Sequence, residues 1–176
     1  MSYINPAPGS VNQITLVVDT VASSTITGNP VTAIAVGNAA ITMPALIDMT
    51  IKNSNDVHTW SQLDGTAKYQ VPTTATNDIS MNIVVDPATF FGANLVSAST
   101  DTVVNQGIMG LSRNKTKIAF AVTMANPDGS VGTSNDYVVK GQGYITGLAP
   151  TINATAPVWV TPVTITVTGE FLVSHT

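Results

Sequence analysis

His58 stands between Asp56 and Asp64, so one short stretch holds an imidazole and two carboxylates. Those are the residue types that a metal site or an acid–base pair needs. The other histidine, His175, is next to the last residue, and no second group of ligands occurs at metal spacing. The chain has no cysteine, which excludes a disulfide framework and a thiolate metal site. Serine is frequent, yet no Gly-x-Ser-x-Gly elbow is present to expose one as a nucleophile. Gly141-x-Gly143 carries two glycines of a phosphate loop, but the third is missing and no strand-to-helix step follows. Glycine that lets a strand bend or approach a neighbour is the stronger reading. A polar loop is likewise the stronger reading for the stretch around His58. No enzyme, cofactor or metal is expected from this inventory.

Arg113, Lys115 and Lys117 form the one basic cluster and hold half of the chain's six basic residues. They suit pairing with acidic groups on a neighbouring subunit; a solvated turn ahead of a strand is the plainer reading. Asn114-Lys115-Thr116 and Asn153-Ala154-Thr155 match the glycosylation pattern, which carries no weight without a secretory signal. Met1 to Gly9 lacks the basic and apolar regions of such a signal. No apolar run approaches the roughly 20 residues that cross a bilayer. Assembly in a cytoplasm, with no membrane partner, is the expectation.

The elements that must position these residues read mainly as strands. In the closing segment Val163, Ile165, Val167, Phe171 and Val173 fall on one face and Thr164, Thr166, Thr168 and Glu170 on the other. That alternation predicts one long strand with a buried side. The same period marks Ile14, Leu16 and Val18, then Ile47, Met49 and Ile51, then Ile79, Met81, Ile83 and Val85, and finally Ile118, Phe120, Val122 and Met124. Residues 31–36 are small and apolar, and 137–148 form a glycine-spaced strand after a turn at Asn126-Pro127-Asp128-Gly129. Asp86-Pro87 reads as an N-cap followed by proline at the first helical position, opening a helix that reaches at least Asn94. Phe91 and Leu95, four apart, would pin it to the sheet. Residues 101–104 fit either a helix or a short strand. Val158 and Trp159, between Pro157 and Pro162, are expected in the core. The sum is an antiparallel β-sandwich or partly closed barrel with one short α-helix, in a single domain over residues 1–176.

Two stretches break this pattern. Residues 1–12 read as a Pro- and Asn-rich arm that needs a partner to become ordered. Residues 53–76 read as a long polar loop carrying Trp60, Leu63, Tyr69 and Val71 without sustained periodicity, which points to docking. The composition agrees. Only 9% of residues are charged although 44% are hydrophobic, against about 25% charged in ordinary soluble domains. A surface so poor in charge is weakly protected from self-association. The net charge of −4 argues against holding nucleic acid by counterion release.

The order of parts resembles the major tail tube proteins of long-tailed bacteriophages. The resemblance rests on a strand ending Asp48-Met49-Thr50-Ile51, a long polar segment, and a return through residues 77–85 into the Asp86-Pro87 helix. The Pro127-Asp128-Gly129 turn, the 140–147 strand and the closing strand complete it, from about residue 13 onward. It implies a structural virion protein that forms hexameric rings, which stack into a hollow tube around passing phage DNA. It further implies other tail proteins as partners, and assembly in the host bacterial cytoplasm. The 53–76 loop, with Trp60, Leu63, Tyr69 and Val71, would then reach the adjoining ring, with the N-terminal arm as a second contact. A Thr- and Asn-rich or acidic face would line the lumen. The alternative, from a different class, is a receptor- or glycan-binding β-sandwich of a phage fibre or other surface appendage.

Overall fold

The computed structural model describes residues 14–20, for which only the backbone is considered, and residues 40–43, 45–63, 65–92, 103–124, 136–152, 158–169 and 171–175. The expected arm at 1–12, the 31–36 segment and the 126–129 turn lie outside them. The strands are β1 (Ile14–Thr20), β2 (Ile41–Thr42), β3 (Leu46–Ser61), β4 (Lys68–Val84), β5 (Ile118–Met124), β6 (Tyr137–Leu148), β7 (Val160–Val167) and β8 (Leu172–His175). They form one antiparallel sheet in the order β2-β1-β5-β6-β7-β4-β3, with β8 paired to β6. The sheet curls into a half-barrel, the partly closed barrel that the alternating strands predicted.

One side of the sheet carries the core. Ile79, Met81 and Ile83 of β4 alternate inward beside Val163 and Ile165 of β7, all at most 2% exposed. The register explains the match, since Ile79 faces Ile165 and Met81 faces Val163. Phe120 and Val122 of β5 extend the layer, and Phe90, Val103, Ile108 and Leu111 close it from the helical side. Each such side chain contributes about 1.5–3 kcal/mol by leaving water. Gly141 and Gly143 are required by this packing. A Cβ on Gly141 would sit 2.6 Å from the Phe120 ring, and one on Gly143 would collide with the carbonyl oxygen of Thr166.

The helical part differs from the single helix expected. Helix α1 (Pro87–Phe91) is capped by Asp86 and closed by Gly92, well short of Asn94. Gly92 has φ 72°, and a Cβ there would meet the backbone of Asn105 and Gly107. Close backbone approach, invisible to a propensity argument, therefore ends the helix. Leu95 lies outside the described residues; Phe91 packs partly buried against the core and meets Phe90 edge to face at 5.1 Å. A second helix, α2 (Val103–Arg113), is kinked at Gly107, so residues 103–104 are helical rather than strand. The closing strand is also broken. Gly169 at φ 90° separates β7 from β8, which turns Phe171 edge-on to Phe120 at 6.2 Å and leaves Val173 62% exposed. Val158 and Trp159, expected in the core, are exposed as well. They precede β7 beyond Val163, the last β7 residue that β6 pairs at this end.

Candidate functional site

The segment read as an irregular loop is paired backbone. Strands β3 and β4, 16 and 17 residues long, stay paired out to Ser61 and Lys68. Pairing of β4 with β7 stops at Asp78, so residues 53–77 leave the sheet as a two-stranded ribbon. Ten residues from Lys68 to Asn77 give it a reach of about 30 Å. At the fork Asn77, only 2% exposed, donates from Nδ2 to the Gly169 carbonyl at 3.0 Å. Its Oδ1 is buried without a partner. A register irregularity between Asn55 and Val57 is braced by Thr73 Oγ1, which donates to the Asp56 carbonyl at 3.2 Å. Thr74 Oγ1 donates to the Asp56 carboxylate at 3.4 Å.

Beyond that irregularity the ribbon carries an aromatic strip. Trp60 pairs with Tyr69 and His58 with Val71, which places all four on one face. The Trp60 and Tyr69 rings stack at 5.6 Å and 23°, and His58 stacks on Trp60 at 6.1 Å and 21°. Leu63, in the turn, is fully exposed; Trp60, Tyr69 and Val71 are each more than 40% exposed. A cross-strand aromatic pair contributes about 0.2–1 kcal/mol to its ribbon, while two strands alone are marginal in water. The strip thus stiffens the ribbon and presents flat apolar rings to whatever lies beyond it.

The structure brings the four apolar candidates together and keeps the basic ones apart from them. Arg113 ends α2, and Lys115 and Lys117 follow in a turn held by Asn114 N–H to the Gly110 carbonyl and Thr116 N–H to the Leu111 carbonyl. Gln106, 5% exposed, braces that turn. Its Oε1 accepts from Thr116 Oγ1 at 2.9 Å and from Asn114 Nδ2 at 3.4 Å. This buried amide was missed by the sequence reading, and so was His58 as part of the aromatic strip. Alternation of His58 with Trp60 and of Tyr69 with Val71, around an Asp64-Gly65 turn dipeptide, was the available signal. Asp64 itself lies outside the described residues. Among those described, no three His, Cys, Asp or Glu side chains gather as metal ligands.

Two further surfaces complete the picture. On the side of the sheet away from the core, Asp48, Thr50, Ser80, Asn82, Thr164 and Thr166 run across β3, β4 and β7. Asn82 Nδ2 donates to both Asp48 carboxylate oxygens at 2.9 and 3.0 Å, and Lys52 faces Asp78 in register. Among the described residues strand β8 pairs only with β6 and β3 has a neighbour on one side alone, so both are edges with backbone groups that no described strand pairs. Leu172 and Val173 are exposed on β8, where Tyr137 meets His175 edge to face at 4.3 Å.

No protein-family model matches the sequence, and no curated protein matches it. Solved structures do. The SPP1 tail tube superposes with a TM-score of 0.62 at 11% identity, over 97% of this chain and 80% of that one. A chain of the sheath–tube complex of an extracellular contractile injection system (PVC) gives 0.56 at 15%, over 97% and 93%. One from the tube-terminating cap of the anti-feeding prophage gives 0.57 at 13%, over 100% and 95%. Identities this low speak for the fold alone, and that fold is the tail tube fold.

Proposed function

We propose that this tail-tube fold serves as a structural virion subunit, whose copies close into six-membered rings that stack into a hollow tail tube around a passing genome. The projecting ribbon carries the reading. A monomer gains nothing from two strands held some 30 Å beyond their sheet and tipped with exposed stacked rings, whereas a stacked ring gains a cover for them. Trp60, Leu63, Tyr69 and Val71 are the inter-ring contacts, and the 1–12 arm is a second one. The open edges of the sheet pair between neighbours in a ring, which turns an aggregation hazard into closure. Arg113, Lys115 and Lys117 meet acidic groups of a neighbour there, so raising salt should slow ring formation; salt-independent assembly would remove that role.

The hydroxyl- and amide-rich face of β3, β4 and β7 lines the channel. Its cation Lys52 stands opposite Asp78, so a sliding phosphate backbone finds little to hold it. Assembled sheath–tube and cap complexes supply part of the structural likeness, which supports other tail proteins as partners, and the likeness to the SPP1 tail tube supports the virion tail as the location. No catalytic role is assigned. One observation favours a second reading, a glycan-binding module, since the flat Trp60–Tyr69 stack would also suit a sugar ring.

Electron microscopy of the purified chain over a range of concentrations tests the choice. Uniform hollow tubes or six-fold rings are expected from the unaltered chain, and rings that do not stack after deletion of residues 62–73. Normal tubes from the deletion would strip the ribbon of its role. A monomer or trimer at every concentration, together with glycan binding lost in Trp60→Ala, would decide for the second reading.

A further inference from the structure

Fifteen large apolar side chains are exposed among the described residues, and nine of them stand at the two ends of one pair of strands. Five belong to the distal ribbon. The other four, Ile47, Ile152, Val158 and Trp159, lie at the opposite end of β3 and β4. Strand β4 runs from Lys68 at one end to Val84 at the other, so the two groups are about 50 Å apart at roughly 3.3 Å per residue. The second group sits on fixed backbone. Val85 N–H donates to the Trp159 carbonyl at 2.8 Å, and Thr151 N–H to the Val160 carbonyl at 2.9 Å. Ile47 occupies the irregularity between Leu46 and Asp48 at the start of β3.

We infer that the surface of Ile47, Ile152, Val158 and Trp159 seats the distal ribbon of a second copy of this chain in the adjoining ring. The inference rests on the tube reading and adds the acceptor that it lacks. The two ends are chemically alike, both apolar, but unlike in shape, a narrow ribbon against the end of a sheet. Like ends meeting would stop at two copies; unlike ends meeting leave each new copy with a free ribbon and a free seat, so addition continues in one direction. Translation along β4 is the operation that brings one group onto the other. A second copy is the occupant because both surfaces need cover and each supplies the other's, in a chain only 9% charged.

The absence of cysteine makes introduced thiols a clean report. Leu63→Cys copies and tagged Val158→Cys copies, mixed, assembled and treated with a short bismaleimide, should join into a covalent pair of one copy of each. The yield should exceed that of Leu63→Cys with Leu172→Cys by roughly tenfold or more, because a seated contact raises the effective concentration of the two thiols. Stacked rings in which Leu63→Cys links equally well to Leu172→Cys, or does not link to Val158→Cys, overturn the seat and leave the tube standing. Failure of the unaltered chain to form rings or tubes under any condition overturns both. Trp159→Ser should keep the circular dichroism and the rings while losing stacking; unimpaired stacking would also move the seat elsewhere.

Discussion

Strand β4 lives under two regimes. From Asp78 to Val84 it is flanked on both sides, and Ile79, Met81 and Ile83 vanish into the core while Asp78, Ser80 and Asn82 between them stay polar. From Lys68 to Thr76 it has one neighbour, and every residue is exposed. The backbone is the same extended chain throughout. What changes is whether one face is removed from water, and that alone writes alternation into a sequence. The ribbon is freed from that demand, so its residues answer to cross-strand stacking.

Substitutions that separate stability from assembly can break this contrast. Phe120→Ala, at a fully buried site, should cost about 3–5 kcal/mol, seen as a large drop in the urea midpoint, and should abolish any assembly along with the fold. Trp60→Ala should cost the isolated chain under about 1 kcal/mol while stopping ring stacking. A comparable loss of stability from Trp60→Ala would mean that the ribbon packs on the body after all. The smallest effect is expected at the helix cap. Asp86 accepts from Thr89 Oγ1 at 2.6 Å and from Thr89 N–H at 3.0 Å, and these bonds hold its carboxyl below the ordinary carboxylate value. A depressed folded pKa makes the cap's contribution complete above the unfolded value and lost as pH falls through the folded one. Asp86→Asn should therefore lower Tm slightly at neutral pH, and the gap to the unaltered chain should close in acid. A gap that is independent of pH would put the capping in the geometry alone.

The body of the fold was legible because burial on one side leaves a period. Ile79-Met81-Ile83 and Val163-Ile165-Val167 announced their strands and their inward faces, and Asp86-Pro87 announced the start of α1. The glycines were legible only in part. Gly141 read correctly as a residue of close approach, whereas Gly92 and Gly107 meet each other's surroundings across a gap in sequence that no local window spans. Gly169 hid inside an otherwise regular strand and broke it. The apolar candidates Trp60, Leu63, Tyr69 and Val71 were found by composition, but not as one surface, because their grouping depends on a register that a doubly exposed ribbon does not reveal. Trp159 misled for the opposite reason, since a tryptophan flanked by valines has the composition of a core and the position of a strand's exposed beginning.

The narrowness of the ribbon has a mechanical consequence. Sheets resist bending because each strand is tied on both sides; a pair of strands has one row of ties and twists with little effort. A filament whose successive layers are joined by such straps would flex by deforming many thin springs, while the broad sheets that wall its bore keep their curvature. Stiffness of the wall and suppleness along the axis would then reside in different lengths of the same strand, with Asn77 marking the change.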